Sequence, residues 1–252
     1  MHPATSSHPL SGRIALVTGG SSGIGAATVR ALAQAGATVV IGYHAGQERA
    51  EALRASLGAE HHVLQISLDD TASHAAAAQW VQQQWGRLDI LVNSAGYTQR
   101  IAHSDIDTLT PALFNQILLS NAGGTYAITH AFMPLLRESG ANAVVVNVSS
   151  VSAFTGSGSN MAYCAAKAAM DTLTQSLARA FGPVRFLCVS PASVDTDFVG
   201  GRSRTEIEQK AAKTPLARVV TPEDVADAIL ACTTLLRTST GTRVVIDGGA
   251  SL

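Results

Sequence analysis

The chain has 252 residues, 46% of them hydrophobic and 14% charged, with a formal net charge of -1. That length suits one large α/β domain with a single layered core, and the apolar share excludes intrinsic disorder. The sparse, balanced charge argues against nucleic acid or an anionic membrane surface as a partner.

The start, "MHPATSSHPLSG", has neither a basic segment nor an apolar run of signal-peptide length, so residues 1–11 read as a flexible arm. "RIALVTGG" is a short apolar run ending in glycines, a buried strand. "GIGAATVRALAQAG" has helical spacing and closes on Gly36, a C-cap signal. "TVVIGY" is β-branched and strand-like, "GQERAEALRASLG" helical, and "HHVLQIS" a strand. "TASHAAAAQWVQQQWG" reads as a helix, and "LDILVNSAG" as a buried strand ending in a turn. "TPALFNQILLSNAGGTYAITHAFMPLLRES" is one long, mostly helical stretch, followed by the strand "NAVVVNVSS". "MAYCAAKAAMDTLTQSLARAFG" is a helix and "VRFLCVSPA" a strand. Residues 193–214 form a polar, irregular stretch, expected to be a substrate lid. "TPEDVADAILACTTLL" opens with a Thr-Pro helix start, and "GTRVVIDGG" closes the chain as a strand.

Seven apolar strands alternating with amphipathic helices predict a single-domain α/β fold over residues 12–252: a doubly wound parallel sheet covered on both faces. Ligands in such sheets bind beyond the carboxyl ends of the strands. The turns "TGG", "NSAG", "VSS" and "SPA" are therefore expected to converge on one crevice. No stretch approaches the roughly 18 apolar residues of a spanning helix. A soluble, cytoplasmic protein is expected. Three scattered cysteines give no disulfide framework, and the histidines show no metal-ligand spacing.

"TGGSSGIG" joins the first strand to the first helix, with Gly19, Gly23 and Gly25 letting the backbone turn tightly and approach a ligand. The helix N-terminus then offers free N–H groups to a pyrophosphate. An acidic residue about 20 positions on would hold the ribose 2′-hydroxyl of NAD. Tyr43 and His44 stand there instead, with Arg49 nearby, so NADP is the expected cofactor and NAD the alternative. In "NMAYCAAKAAM", Tyr163 and Lys167 are four residues apart and share a helical face.

These motifs, with "NVSS" before them and "DGG" near the end, resemble the short-chain dehydrogenase/reductase family, and among its members those like 3-oxoacyl-carrier-protein reductase. The resemblance runs from about residue 12 to the end of a Rossmann-type domain. It implies Asn121, Ser150, Tyr163 and Lys167 as the catalytic set. Tyr163 would exchange a proton with the substrate oxygen, Lys167 would lower the phenol's pKa, and Ser150 would hydrogen-bond that oxygen. Asn121 would hold a water linking Lys167 to solvent. Gly19, Ser21, Ser22, Gly23, Ile24 and Gly25 would line the pyrophosphate side, and Tyr43 and His44 the ribose end. Ser67, Leu68, Asn93, Ala95 and Gly96 would lie near the adenosine. Pro191, Val194 and Thr196, with Tyr163 and Lys167, would hold the nicotinamide end. Ser67–Leu68 replaces the family's usual Asp-Val, Ser94 its second Asn, and Ala192 its Gly.

The implied activity is reversible reduction of a carbonyl, either a ketone or a 3-oxoacyl group, with NADPH, in a homotetramer or dimer. The alternatives are an NAD-dependent alcohol, sugar or steroid dehydrogenase, and a non-catalytic dinucleotide sensor. Retention of both Tyr163 and Lys167 argues against the sensor.

Overall fold

The computed structural model describes residues 8–252. The first half runs β1 (Ile14–Thr18), α1 (Gly23–Gln34), β2 (Thr38–Tyr43), α2 (Gln47–Leu57), β3 (His62–Gln65), α3 (Thr71–Trp85) and β4 (Ile90–Asn93). The second runs α4 (Pro111–Leu118), α5 (Gly124–Ser139), β5 (Val144–Val148), α6 (Ser152–Thr155), α7 (Met161–Ala180), β6 (Arg185–Pro191), α8 (Arg204–Ala211), α9 (Pro222–Thr234) and β7 (Thr242–Ile246). The strands form one parallel sheet in the order β3-β2-β1-β4-β5-β6-β7. This is the doubly wound α/β architecture that the alternation predicts.

β1, β4 and β5 are buried at every residue. Helices cover both faces of these central strands, so neither face needs polar side chains and the sequence shows unbroken apolar runs. One core lies under α1, α2 and α9, where Val29, Leu32, Leu53 and Ile229 meet Val17, Val39 and Val146. The other lies under α3, α5 and α7, where Val81, Phe132, Leu136 and Leu177 meet Leu16, Leu91 and Phe186. Local chemistry sets the helix ends. Asp70 caps α3 by accepting from Ala72 N–H at 2.9 Å, and Gly86, at φ 69°, ends it in the left-handed region. Thr221 and Asp224 cap α9 reciprocally, with Pro222 in its first turn.

The strand order reverses between β1 and β4, which pair from Ala15–Ile90 to Thr18–Asn93. Connections leave in opposite directions there and open a crevice beyond the carboxyl ends. Its walls touch at their base: a Cβ added to Gly19 would stand 3.0 Å from the Ala95 backbone.

Three local features differ from the sequence reading. The long helical stretch is broken by a π-helical turn at Leu119–Gly123, between α4 and α5. Residues 193–214 are not wholly irregular, because Ser203 and Glu206 form a capping box that starts α8. The Ser-x-x-Glu spacing was visible in the sequence. Of the expected flexible arm, residues 1–7 lie outside the described residues, but Leu10 is anchored. It is 1% exposed and donates its N–H to Ala35 O at 2.9 Å. No helix among the described residues is long and apolar enough to cross a membrane.

Candidate active site

A cleft of about 1460 Å³ opens at the crevice, bounded by the turns after β1, β4, β5 and β6 and by residues 193–214. It exceeds the size of common small-molecule sites, so it has room for a dinucleotide together with a second molecule.

The glycine turn forms one wall. Gly19 and Gly23 have φ of 64° and 49°, a region that favours glycine. A Cβ on Gly25 would lie 2.1 Å from Gly19 O, so only glycine lets the turn close. Ser22 precedes α1 without a side-chain cap, and α1 has no acidic residue in its first turn. The amides of that turn are thus available to an anionic group. A Cβ on Gly23 would fill the space up to Thr196 Cγ2, at 3.2 Å, across the cleft. This cradle fits a pyrophosphate, and Ser21, Ser22, Ile24, Ala95, Gly96, Pro191, Val194 and Thr196 line the same cleft.

At the far end the lining comes from His44, Ala45, Gly46 and Arg49 on one side and Ser67 and Leu68 on the other. A Cβ on Gly46 would stand 2.6 Å from Arg49 Nη2 and 2.8 Å from Ser21 Oγ. Guanidinium and hydroxyl therefore converge on this turn. Tyr43 does not join them, because its side chain packs in the core at 8% exposure. Asn93 also leaves the expected set. Its amide donates to Asn147 Oδ1 at 2.8 Å and Thr129 Oγ1 at 3.2 Å, beneath the sheet's end, and does not line the cleft.

The reacting end is built on α7. Asn160 caps that helix, its Oδ1 accepting from Tyr163 N–H at 2.8 Å. The same side chain donates to Gln99 O at 2.8 Å and Thr98 Oγ1 at 3.2 Å, tying the first turn of α7 to the loop after β4. Tyr163 and Lys167 follow on one face, with Lys167 Nζ 5.5 Å from the centre of the Tyr163 ring. Nζ donates to Val148 O at 2.7 Å, at the end of β5. Ser150, just beyond β5, is near enough to the Tyr163 hydroxyl to favour its ionised form. Ser150 Oγ also accepts from Ser152 N–H at 3.1 Å and lies 3.1 Å from Ser152 Oγ. Ser152 went unnoticed in the sequence, although a Ser two residues after another is a common local-turn pattern. Tyr163, Lys167 and Ser150 are thus brought together on the cleft wall.

Asn121 stands directly behind the cleft wall, where a Cβ on Gly96 would lie 3.1 Å from its Oδ1. It sits in the π-helical turn, is fully buried, and does not line the cleft. Its Nδ2 donates to Tyr97 O at 2.7 Å and Ile117 O at 2.8 Å, while its Oδ1 accepts from Tyr97 N–H at 3.2 Å. Both amide hydrogens are committed to protein. The side chain clamps the backbone of Tyr97, after the "NSAG" turn. A π-helical turn of this kind often marks a functional segment.

Burial governs the titration of this site. It raises the Tyr163 phenol above its ordinary value, Ser150 opposing it. It lowers Lys167 to about 8, with Cys188 and Asp171 opposing. The phenol is therefore raised, not lowered as expected: desolvation is the largest influence on it, and the groups that oppose it are Ser150 and Arg202, not Lys167. Burial thus favours the neutral form of the phenol.

A family described as enoyl-(acyl carrier protein) reductase matches residues 19–251. A 3alpha-hydroxysteroid dehydrogenase from Mediterraneibacter gnavus is 32% identical over 249 residues, covering 96% of this chain and 98% of that protein. The 3-oxoacyl-[acyl-carrier-protein] reductase FabG of Aquifex aeolicus is 32% identical over 249 residues, covering 95% of this chain and 98% of its own. The solved structure of a dehydrogenase/reductase from Sinorhizobium meliloti superposes with a TM-score of 0.87 at 30% identity, covering 98% of both chains. With a glycine turn at the sheet's reversal point and a Tyr–Lys pair facing it, this chain belongs to the short-chain dehydrogenase/reductase family, nicotinamide-dependent oxidoreductases of carbonyl and alcohol groups.

Proposed function

We propose that the chain is an NADP-preferring reductase of a ketone or 3-oxoacyl carbonyl, working reversibly, with Tyr163 as the acid. The observation that carries this reading is the meeting of Tyr163, Ser150 and Lys167 on the wall of the cleft that also contains the glycine turn. The bound nicotinamide supplies the hydride. The chain's own part is proton transfer and positioning. The neutral Tyr163 phenol gives its proton to the carbonyl oxygen as charge develops there. Ser150, fixed by Ser152, hydrogen-bonds the same oxygen. The Lys167 ammonium, beside the ring, stabilises the phenolate left behind.

The preference for NADP rests on the turn after β2. Arg49, His44 and Ser21 gather there, and among the described residues from 43 to 49 no carboxylate lines the cleft to repel a 2′-phosphate. Leu119 and Tyr126 are exposed along the α4–α5 rod, which supports assembly into a dimer or tetramer.

The test is consumption of NADPH and NADH with a panel of ketones and 3-oxoacyl thioesters, for wild type and Tyr163→Phe. NADPH-dependent turnover is expected, falling at least about 1000-fold in the variant while NADPH still binds. NADH preference would overturn the cofactor assignment, and an active Tyr163→Phe would overturn the mechanism.

A further inference from the structure

We propose that Arg202 binds a carboxylate on the substrate, so that the compound reduced is a small oxo acid and not a neutral ketone. This rests on the carbonyl reductase reading and adds the chemical class to it.

Arg202 precedes α8 in the segment covering the cleft, and it lines the cleft together with Tyr163. Arg100, Arg204 and Arg218, the other arginines near this segment, already have carboxylate partners. Glu206 holds Arg100 by both oxygens, each at 3.0 Å. Arg204 pairs with Asp195 at 3.0 Å and Glu208 at 3.1 Å, and Arg218 pairs with Asp224. Arg202 has no carboxylate within ion-pair distance among the described residues. Its partners are neutral: Ser193 Oγ at 3.3 Å and Val194 O at 3.2 Å. Both contacts are long for a charged donor. Its Nε is buried and donates to nothing. A guanidinium has five N–H donors in a planar fork shaped for a carboxylate, and here two are used, both weakly.

The position suits a small molecule. Arg202 and Tyr163 line one cleft, and the guanidinium is near enough to oppose the rise of the phenol's pKa, so an anion on Arg202 and a carbonyl at Tyr163 fit within one compact substrate. Phe198, from the same segment, places its ring 6.0 Å from the Tyr163 ring and supplies apolar cover between the two polar ends. Because Arg202 is partly withdrawn from water, an ion pair there is screened less than one at the exposed Arg204.

The test compares matched acid and ester pairs, 4-oxopentanoate with its methyl ester and 4-oxocyclohexanecarboxylate with its methyl ester, with NADPH as reductant. Wild type, Arg202→Gln and Arg202→Lys are assayed. Wild type is expected to favour each acid in kcat/KM by about 10- to 100-fold. Arg202→Gln should lose that preference mainly through KM, and Arg202→Lys should keep part of it. An acid preference absent from wild type, or surviving Arg202→Gln, overturns the proposal. A second readout needs no turnover: calorimetric binding of cyclohexanecarboxylate against its amide. Carboxylate binding lost in Arg202→Gln supports the anchor even if no ketone is reduced, and that pattern would count against the reductase reading alone. Equal binding of acid and amide, or equal binding by wild type and Arg202→Gln, overturns the anchor whatever the turnover.

Discussion

Replacing Lys167 by methionine is expected to stabilise the unliganded protein at neutral pH and destabilise it at high pH. Lys167 is 3% exposed, and burial lowers its folded pKa from 10.5 to about 8. Between these values the unfolded chain binds the proton that the folded chain has released. Stability therefore rises with pH across that window, and the cost of burying the ammonium is fully present below about 8. At about 1.4 kcal/mol per pH unit the cost comes to about 3 kcal/mol. Methionine removes it but also removes the bond from Nζ to Val148 O, which contributes about 1–2 kcal/mol. The variant should be about 1–2 kcal/mol more stable than wild type at pH 7, and less stable by a similar amount above the unfolded pKa. Urea unfolding of both proteins at fixed concentration, at pH 7, 8.5 and 10, measures the crossing. A difference that does not change with pH would refute the reasoning, because it would mean Lys167 is not a desolvated cation in the folded state. Turnover should be lost throughout, a trade of stability for function.

Arg49→Ala should weaken NADPH by about tenfold, as expected for losing one partly exposed ion pair to a phosphate, and change NADH by less than twofold. Fluorescence titration of both cofactors checks this, and equal losses would remove Arg49 from the 2′-phosphate. Asn121→Ala should cost about 3 kcal/mol, because Tyr97 N–H, Tyr97 O and Ile117 O all lose their partner. That corresponds to a fall of about 6–12 °C in the melting temperature. An unchanged melting temperature would mean Asn121 is no clamp.

The alternation of apolar strands with amphipathic helices was legible because it follows from covering both faces of a parallel sheet, and β1, β4 and β5 show it at every residue. The glycine turn was legible because its constraints are local: a Cβ on Gly25 collides with Gly19 O within the same turn. The Tyr163–Lys167 pair was legible because one helical turn aligns residues four apart. What the sequence could not decide depends on partners distant along the chain. Asn93 was expected beside the adenosine, yet Thr129 and Asn147 draw its side chain beneath the sheet, and only the fold shows the Asn121 side chain bonded to Tyr97 and Ile117. Arg202 and Arg204 stand two residues apart in "GRSRTE", and only the folded positions of Asp195 and Glu208 separate a paired guanidinium from an available one. The direction of the Tyr163 pKa was misjudged for the same reason. Spacing puts a cation beside the phenol, but desolvation depends on every element packed around it, and that is settled only when the chain has closed.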